Sequence, residues 1–111
     1  MQLTLLKGYP DYVGKRQIFC GNGVGPKSYV QVTATGGGDP IVVPTFQGYI
    51  DAIFPALSIS RTYIVYPVPV AVGPRATWRL KWCTQSSGTE VTAAVDLSGE
   101  SVQLGGFCGV Y

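Results

Sequence analysis

The stretch Gly21-Asn-Gly-Val-Gly25-Pro-Lys27-Ser28 comes closest, in this chain, to a loop that could cradle a phosphate. That chemistry needs a glycine-rich turn whose amides face the oxygens, followed by Gly-Lys-Ser/Thr opening a helix. Pro26 breaks the Gly-Lys step, and Ser28-Tyr-Val-Gln-Val-Thr-Ala34 continues as strand-forming sequence, so neither the amide nest nor the helix terminus is expected. The segment reads as a flexible hairpin loop. General acid–base chemistry needs two titratable groups held together with separated pKa values. The chain has no histidine and six dispersed carboxylates, Asp11, Asp39, Asp51, Glu90, Asp96 and Glu100. Asp96 and Glu100 flank the Ser98-Gly99 turn, but one short turn falls short of the roughly six or more oxygens that calcium takes. Cys20, Cys83 and Cys108 are widely spaced and include no C-x-x-C pair, and without histidine they cannot complete a tetrahedral zinc site. They read as three reduced, half-buried side chains, with one disulfide and a leftover thiol as the alternative. A serine or cysteine nucleophile has no evident base. The residues therefore imply no enzyme, no cofactor, no metal site and no small-molecule substrate.

The elements that would position these groups are strands. In Ala76-Thr-Trp-Arg-Leu-Lys-Trp-Cys83 a period of two sends Trp78, Leu80 and Trp82 to one face and Thr77, Arg79 and Lys81 to the other. Ser86-Ser-Gly88 forms a turn, and Thr89–Asp96 then alternates, with Val91, Ala93 and Val95 inward, as the second strand of a hairpin. That pairing would set Glu90 and Thr92 beside Arg79 and Lys81. Leu97-Ser-Gly-Glu100 is a further turn before a short strand over 101–104. Arg61–Val72 reads as a long strand whose second half carries Pro67 and Pro69 on one parity, so that half lies at a sheet edge, where it would block edge-to-edge association, or runs as an unpaired extended segment. Residues 16–20, 28–34 and 39–43 complete the strand set, the last following the Gly36-Gly-Gly38 turn. Phe46, Ile50, Ile53 and Leu57 have helical spacing, and Gly48 and Pro55 limit it to one short helical turn near residues 49–54. The pattern predicts an all-β, single-domain antiparallel β-sandwich or barrel, Ig-like or jelly-roll-like, over residues 1–111.

Composition describes the surface such a domain would have. Charged residues make up 13% of the 111-residue chain and hydrophobic ones 46%. Soluble chains average about 25% charged residues, and a domain this small leaves roughly a third of its unfolded surface in water. The net charge of +2 is scattered apart from Lys15-Arg16 and Arg79-x-Lys81, a poor footprint for nucleic acid. Pro and Gly interrupt every hydrophobic stretch, so no membrane span is expected, and the N-terminus lacks the features of a signal peptide. The tryptophans read as core, with a sugar-stacking platform as the alternative. Apolar residues at both ends (about 1–14 and 105–111) read as arms that dock either in the same domain or on a neighbouring subunit. Leu5, Tyr9, Tyr12, Tyr66, Val68, Val70, Phe107, Val110 and Tyr111 are the candidate partner interface.

The start Leu5-Leu-Lys-Gly-Tyr-Pro10 and the end, Ala76-Thr-Trp-Arg-Leu-Lys-Trp-Cys-Thr-Gln-Ser-Ser-Gly-Thr-Glu-Val91 through Asp96-Leu-Ser-Gly-Glu100 to Gly105-Gly-Phe107, give the chain its style. In that style it resembles the small Gly-, Val- and Tyr-rich β-proteins of tailed-bacteriophage virions, particularly capsid decoration or cement proteins. The resemblance implies a non-enzymatic virion component, made in the host cytoplasm, whose partners are the major capsid protein, copies of itself, or both. It extends equally to minor capsid, head–tail joining and tail components. A carbohydrate- or receptor-binding β-sandwich and an intracellular regulator of a host enzyme are the readings from other classes.

Overall fold

Period-two alternation, backed by β-branched and aromatic residues, folds about half of the described residues into strands. The computed structural model describes residues 1–44, 49–72 and 75–109, with backbone alone for Tyr49, 70–72 and 75–77. Among these residues nine strands form two sheets, every strand pair antiparallel. The first sheet orders β1 (Thr4–Leu5), β3 (Arg16–Val24), β9 (Ser101–Gly109) and β5 (Tyr49–Ile53), with β2 (Asp11–Val13) also pairing β3. The second orders β4 (Asp39–Pro40), β8 (Arg75–Thr84), β7 (Tyr63–Val72) and β6 (Ala56–Leu57). Their inner faces meet in one core, making the all-β sandwich that the alternation predicts.

Parity decides what is inside. Phe19 of β3, Val102, Leu104 and Cys108 of β9 and Ile53 of β5 meet Val65 of β7 and Leu80 and Trp82 of β8, while Leu3, Tyr29, Val91 and Leu97 close the core from connecting segments. Each large apolar side chain so buried stabilises the fold by roughly 1.5–3 kcal/mol before entropy is counted. The residues at the chain start act as a strap between the sheets. Thr4 and Leu5 pair with Asn22 and Gly21, while Leu3 N–H donates to Val42 O (2.9 Å) and Val42 N–H to Met1 O (2.8 Å). The Met1 ammonium donates to Asp39 Oδ1 (2.6 Å) and to the Pro40 carbonyl, and Asp39 Oδ2 accepts from Trp82 Nε1 (3.2 Å). Gly21 and Gly23 make this approach feasible. A Cβ there would stand 2.8 Å from the Thr4 carbonyl oxygen or 2.5 Å from the Met1 side chain.

Several local expectations are corrected. The loop expected at 21–28 is strand as far as Val24, because β3 keeps register with β9 through Val24↔Ser101. The helical turn near 49–54 is strand β5. A bulge between Ile50 and Ala52 puts Ile50 against the core and buries Ile53, so two inward residues three apart imitate helical spacing; Phe46 and Gly48 lie outside the described residues. The strand expected at 89–96 contributes one bridge, Cys83↔Glu90. Continuing that register would bring Ala93 opposite Leu80, where Asp39 of β4 already pairs. The chain turns away instead, Ala94 taking φ 69°, and Ala93, expected inward, is exposed. Residues 28–34 form no strand and bend at Ser28 and Ala34; Tyr29 exchanges backbone bonds with 94–95 (Tyr29 N–H to Val95 O, 3.0 Å; Ala94 N–H to Tyr29 O, 2.8 Å). The last strand, expected to stop at 104, runs on to Gly109. In the β7 edge the expectation and the structure agree. β6 covers only Ile64 and Val65, and Pro67 and Pro69 share the parity of Tyr63, whose carbonyl faces away from β8 toward Ser58.

Candidate functional site

The groups that could do chemistry are drawn into the fold. Glu90 Oε2 accepts from Tyr29 Oη (2.8 Å) and from Val32 N–H (2.8 Å), and Tyr29 Oη in turn accepts from Trp82 N–H (3.1 Å). Burial, and secondarily Glu90, raises the Tyr29 phenol well above its ordinary range, against the lowering effect of the Trp82 amide. Glu90 bridges Cys83 on the Lys81 side of β8 but makes no ion pair with Arg79 or Lys81, correcting the cross-strand pair expected from sequence. Asp96 and Glu100 do not converge. Asp96 Oδ1 accepts from Ser98 N–H (2.9 Å) and Ser98 Oγ (2.6 Å), which lowers its pKa, while Glu100 accepts from Ser60 Oγ (2.7 Å). Asp11 Oδ1 takes Tyr12 N–H (2.8 Å), and Asp51 faces Arg16 at 3.6 Å. All three thiols are free; Cys20 is half-buried, and Cys83 and Cys108 are buried. Among the described residues no cluster of His, Cys, Asp or Glu could hold a metal ion.

The tryptophans belong to the packing. Trp82 is fully buried with its ring edge-on to Tyr63 at 6.0 Å, and Trp78, half-buried, donates Nε1–H to Ile50 O (2.7 Å), tying the second sheet to the first. A stacking platform built on Trp82 is thereby excluded. A shallow depression of about 250 Å³ lies elsewhere, on the rim of the first sheet, lined by Gln2, Thr4, Asn22, Gly23, Val24 and Ser101.

The residues singled out as a partner interface fall in separate places. Leu5 faces inward opposite Gly21 and packs on the core. Tyr9 and Tyr12 are exposed, Tyr12 on β2 with its hydroxyl accepting from Gln17 Nε2 (2.8 Å). Phe107 sits on the outer face of the first sheet, and Tyr66 and Val68 on the outer face of the second. Val70 is described in backbone only, and Val110 and Tyr111 lie outside the described residues.

The first sheet's outer face holds the larger apolar cluster. The ladder sets Ile18 and Ala52 on either side of Phe107. Phe54, half exposed, packs its ring edge-on against Phe107 with centroids 5.5 Å apart and planes at 86°. Sequence reasoning passed over Phe54 because it closed the supposed helical turn; in the structure its N–H donates to Gly105 O (3.0 Å), fixing it over β9. Leu57 and Ile59, farther along the same crossing segment, are also exposed. Compared with known proteins, the chain matches no family model, no curated protein sequence and no solved structure.

Proposed function

We propose that this chain is a non-enzymatic structural subunit of a tailed-phage virion, a decoration protein that binds the outer surface of the head and reinforces it. The observation that carries the reading is the outward apolar cluster of Ile18, Ala52, Phe54 and Phe107 in the middle of a sheet face. Contiguous exposed apolar surface marks interaction sites, and a chain with 13% charged residues has little else to present. The engagement of the carboxylates in turns and core anchors supports a binding rather than a catalytic role. A subunit that binds only the mature lattice stabilises that lattice by mass action, and many copies acting together reinforce the effect.

The test is quantitative mass spectrometry of purified particles, followed by add-back of purified protein to particles lacking it. Occupancy on the order of hundreds of copies per particle is expected for a decorated lattice. Phe54→Ser should lower occupancy while leaving thermal stability within about 1 kcal/mol of the parent, since it removes one exposed ring contact. About a dozen copies would indicate a joining or tail role, and absence from particles would sink the reading.

A glycan-binding role draws support from the rim depression, whose Gln2, Thr4, Asn22 and Ser101 offer uncharged amides and hydroxyls suited to sugar hydroxyls. Amide-shift mapping with candidate glycans tests it.

A further inference from the structure

The second sheet carries an outward face of different character. Val65, Leu80 and Trp82 point into the core, so the alternate residues of the same two strands point out. The ladder sets Tyr66 opposite Lys81 and Val68 opposite Arg79, giving an apolar row on β7 beside a basic row on β8. Tyr66 is 38% exposed, and Val68, Arg79 and Lys81 are half-buried. Among the described residues no carboxylate lies within ion-pairing distance of either cation; the ion pairs are Met1–Asp39 and Arg16–Asp51. Glu90, the acid nearest in sequence, bridges Cys83 at the covered end of this face, where its carboxylate is held by Tyr29 and Val32 rather than by either cation.

We infer that this face binds an extended acidic polypeptide segment. Arg79 and Lys81 are two residues apart on one strand and so stand roughly 6.8 Å apart. An extended chain carries side chains of one face at that same spacing, so carboxylates at alternate positions meet both cations, and the methylene stems of those same side chains rest on Tyr66 and Val68. The segment lies across the face and does not add to the β7 edge, because Pro67 and Pro69 offer that edge no N–H to donate. Nucleic acid fits less well. Two cations neutralise at most about two phosphates, a small electrostatic gain, and the apolar row would face the backbone unmatched.

The experiment is fluorescence anisotropy of the isolated protein with a labelled Glu-Val-Glu-Val-Glu peptide, using Lys-Val-Lys-Val-Lys and a short single-stranded DNA as comparators. Saturable binding of the acidic peptide is expected. Arg79→Glu/Lys81→Glu should weaken it at least about tenfold, the loss expected from charge reversal at a complementary surface, and Tyr66→Ser should weaken it severalfold. Arg79→Gln/Lys81→Gln serves if the reversed pair fails to fold by circular dichroism. Equal binding of the basic peptide, tighter binding of DNA, an unaffected charge variant, or no saturation of the acidic peptide up to about 1 mM overturns the inference. No particle enters the assay, so its outcome is independent of the virion reading.

Discussion

Tyr29 joins three segments through one hydroxyl: its own, the β8 backbone at Trp82, and the connection carrying Glu90. The bonds replace a sheet where none forms. Little in the sequence announces this, since Glu90 stands in an alternating stretch and looks like an outward strand residue. Pairing stops after the Cys83↔Glu90 bridge because Asp39 claims Leu80, the position that a continued strand would need for Ala93. The same burial gives a pH signature. Burial, with the charge of Asp51 adding, pushes the Cys108 thiol up from 9.0 to about 12, and Tyr29 is raised in the same sense. A group whose pKa is higher folded than unfolded contributes its full stability below the unfolded value and loses it as pH rises toward the folded one. Stability from urea denaturation should therefore fall above pH 9 at about 1.4 kcal/mol per pH unit on account of Cys108, and more steeply above pH 10, where the unfolded Tyr29 phenol also ionises. Cys108→Ala should make the decline shallower. A parent protein of unchanged stability up to about pH 11 would refute the assignment.

The elements show why some strands were legible and others not. The alternation at 76–83 survives because both faces of β8 are settled by strong preferences, tryptophan and leucine inside and arginine and lysine outside. The proline parity in β7 is legible for a similar reason, since a missing N–H permits few positions. The bulge at Asp51 and the competition for the β8 edge depend on partners far along the chain, which no local period encodes. The strap at the chain start is likewise a tertiary feature: a Leu-rich opening reads as an arm until Gly21 and Gly23 are seen to make room for it. Leu3, 1% exposed, makes this testable. Leu3→Ala should cost about 2–5 kcal/mol in urea denaturation, whereas Val13→Ala, on the exposed β2 strand, should stay within about 0.5 kcal/mol. A near-neutral Leu3→Ala would mean that the opening residues are an appendage and not part of the core.

At the scale of the molecule, the sandwich presents two outer faces with different surface chemistry, one apolar around Phe54 and Phe107 and one apolar and basic around Tyr66 and Arg79. Composition foretold a charge-poor exterior but not its division, because that follows from which parity each sheet turns inward. Trp82 is fully buried and Trp78 half-buried with its Nε1–H bonded to Ile50, so emission of the native protein should be blue-shifted relative to the unfolded chain and unmoved by added sugars. Quenching by a sugar would instead place a ligand against Trp78. The proline edge of β7 also bears on how copies can be arranged. Past Val65 its outward positions are Pro67, Pro69 and Ala71, so the seam offers carbonyl lone pairs almost without hydrogens. Two such seams brought together would set acceptor against acceptor. Identical copies crowded together can therefore be close neighbours without knitting into a continuous ribbon through this edge, and each remains a separate tile.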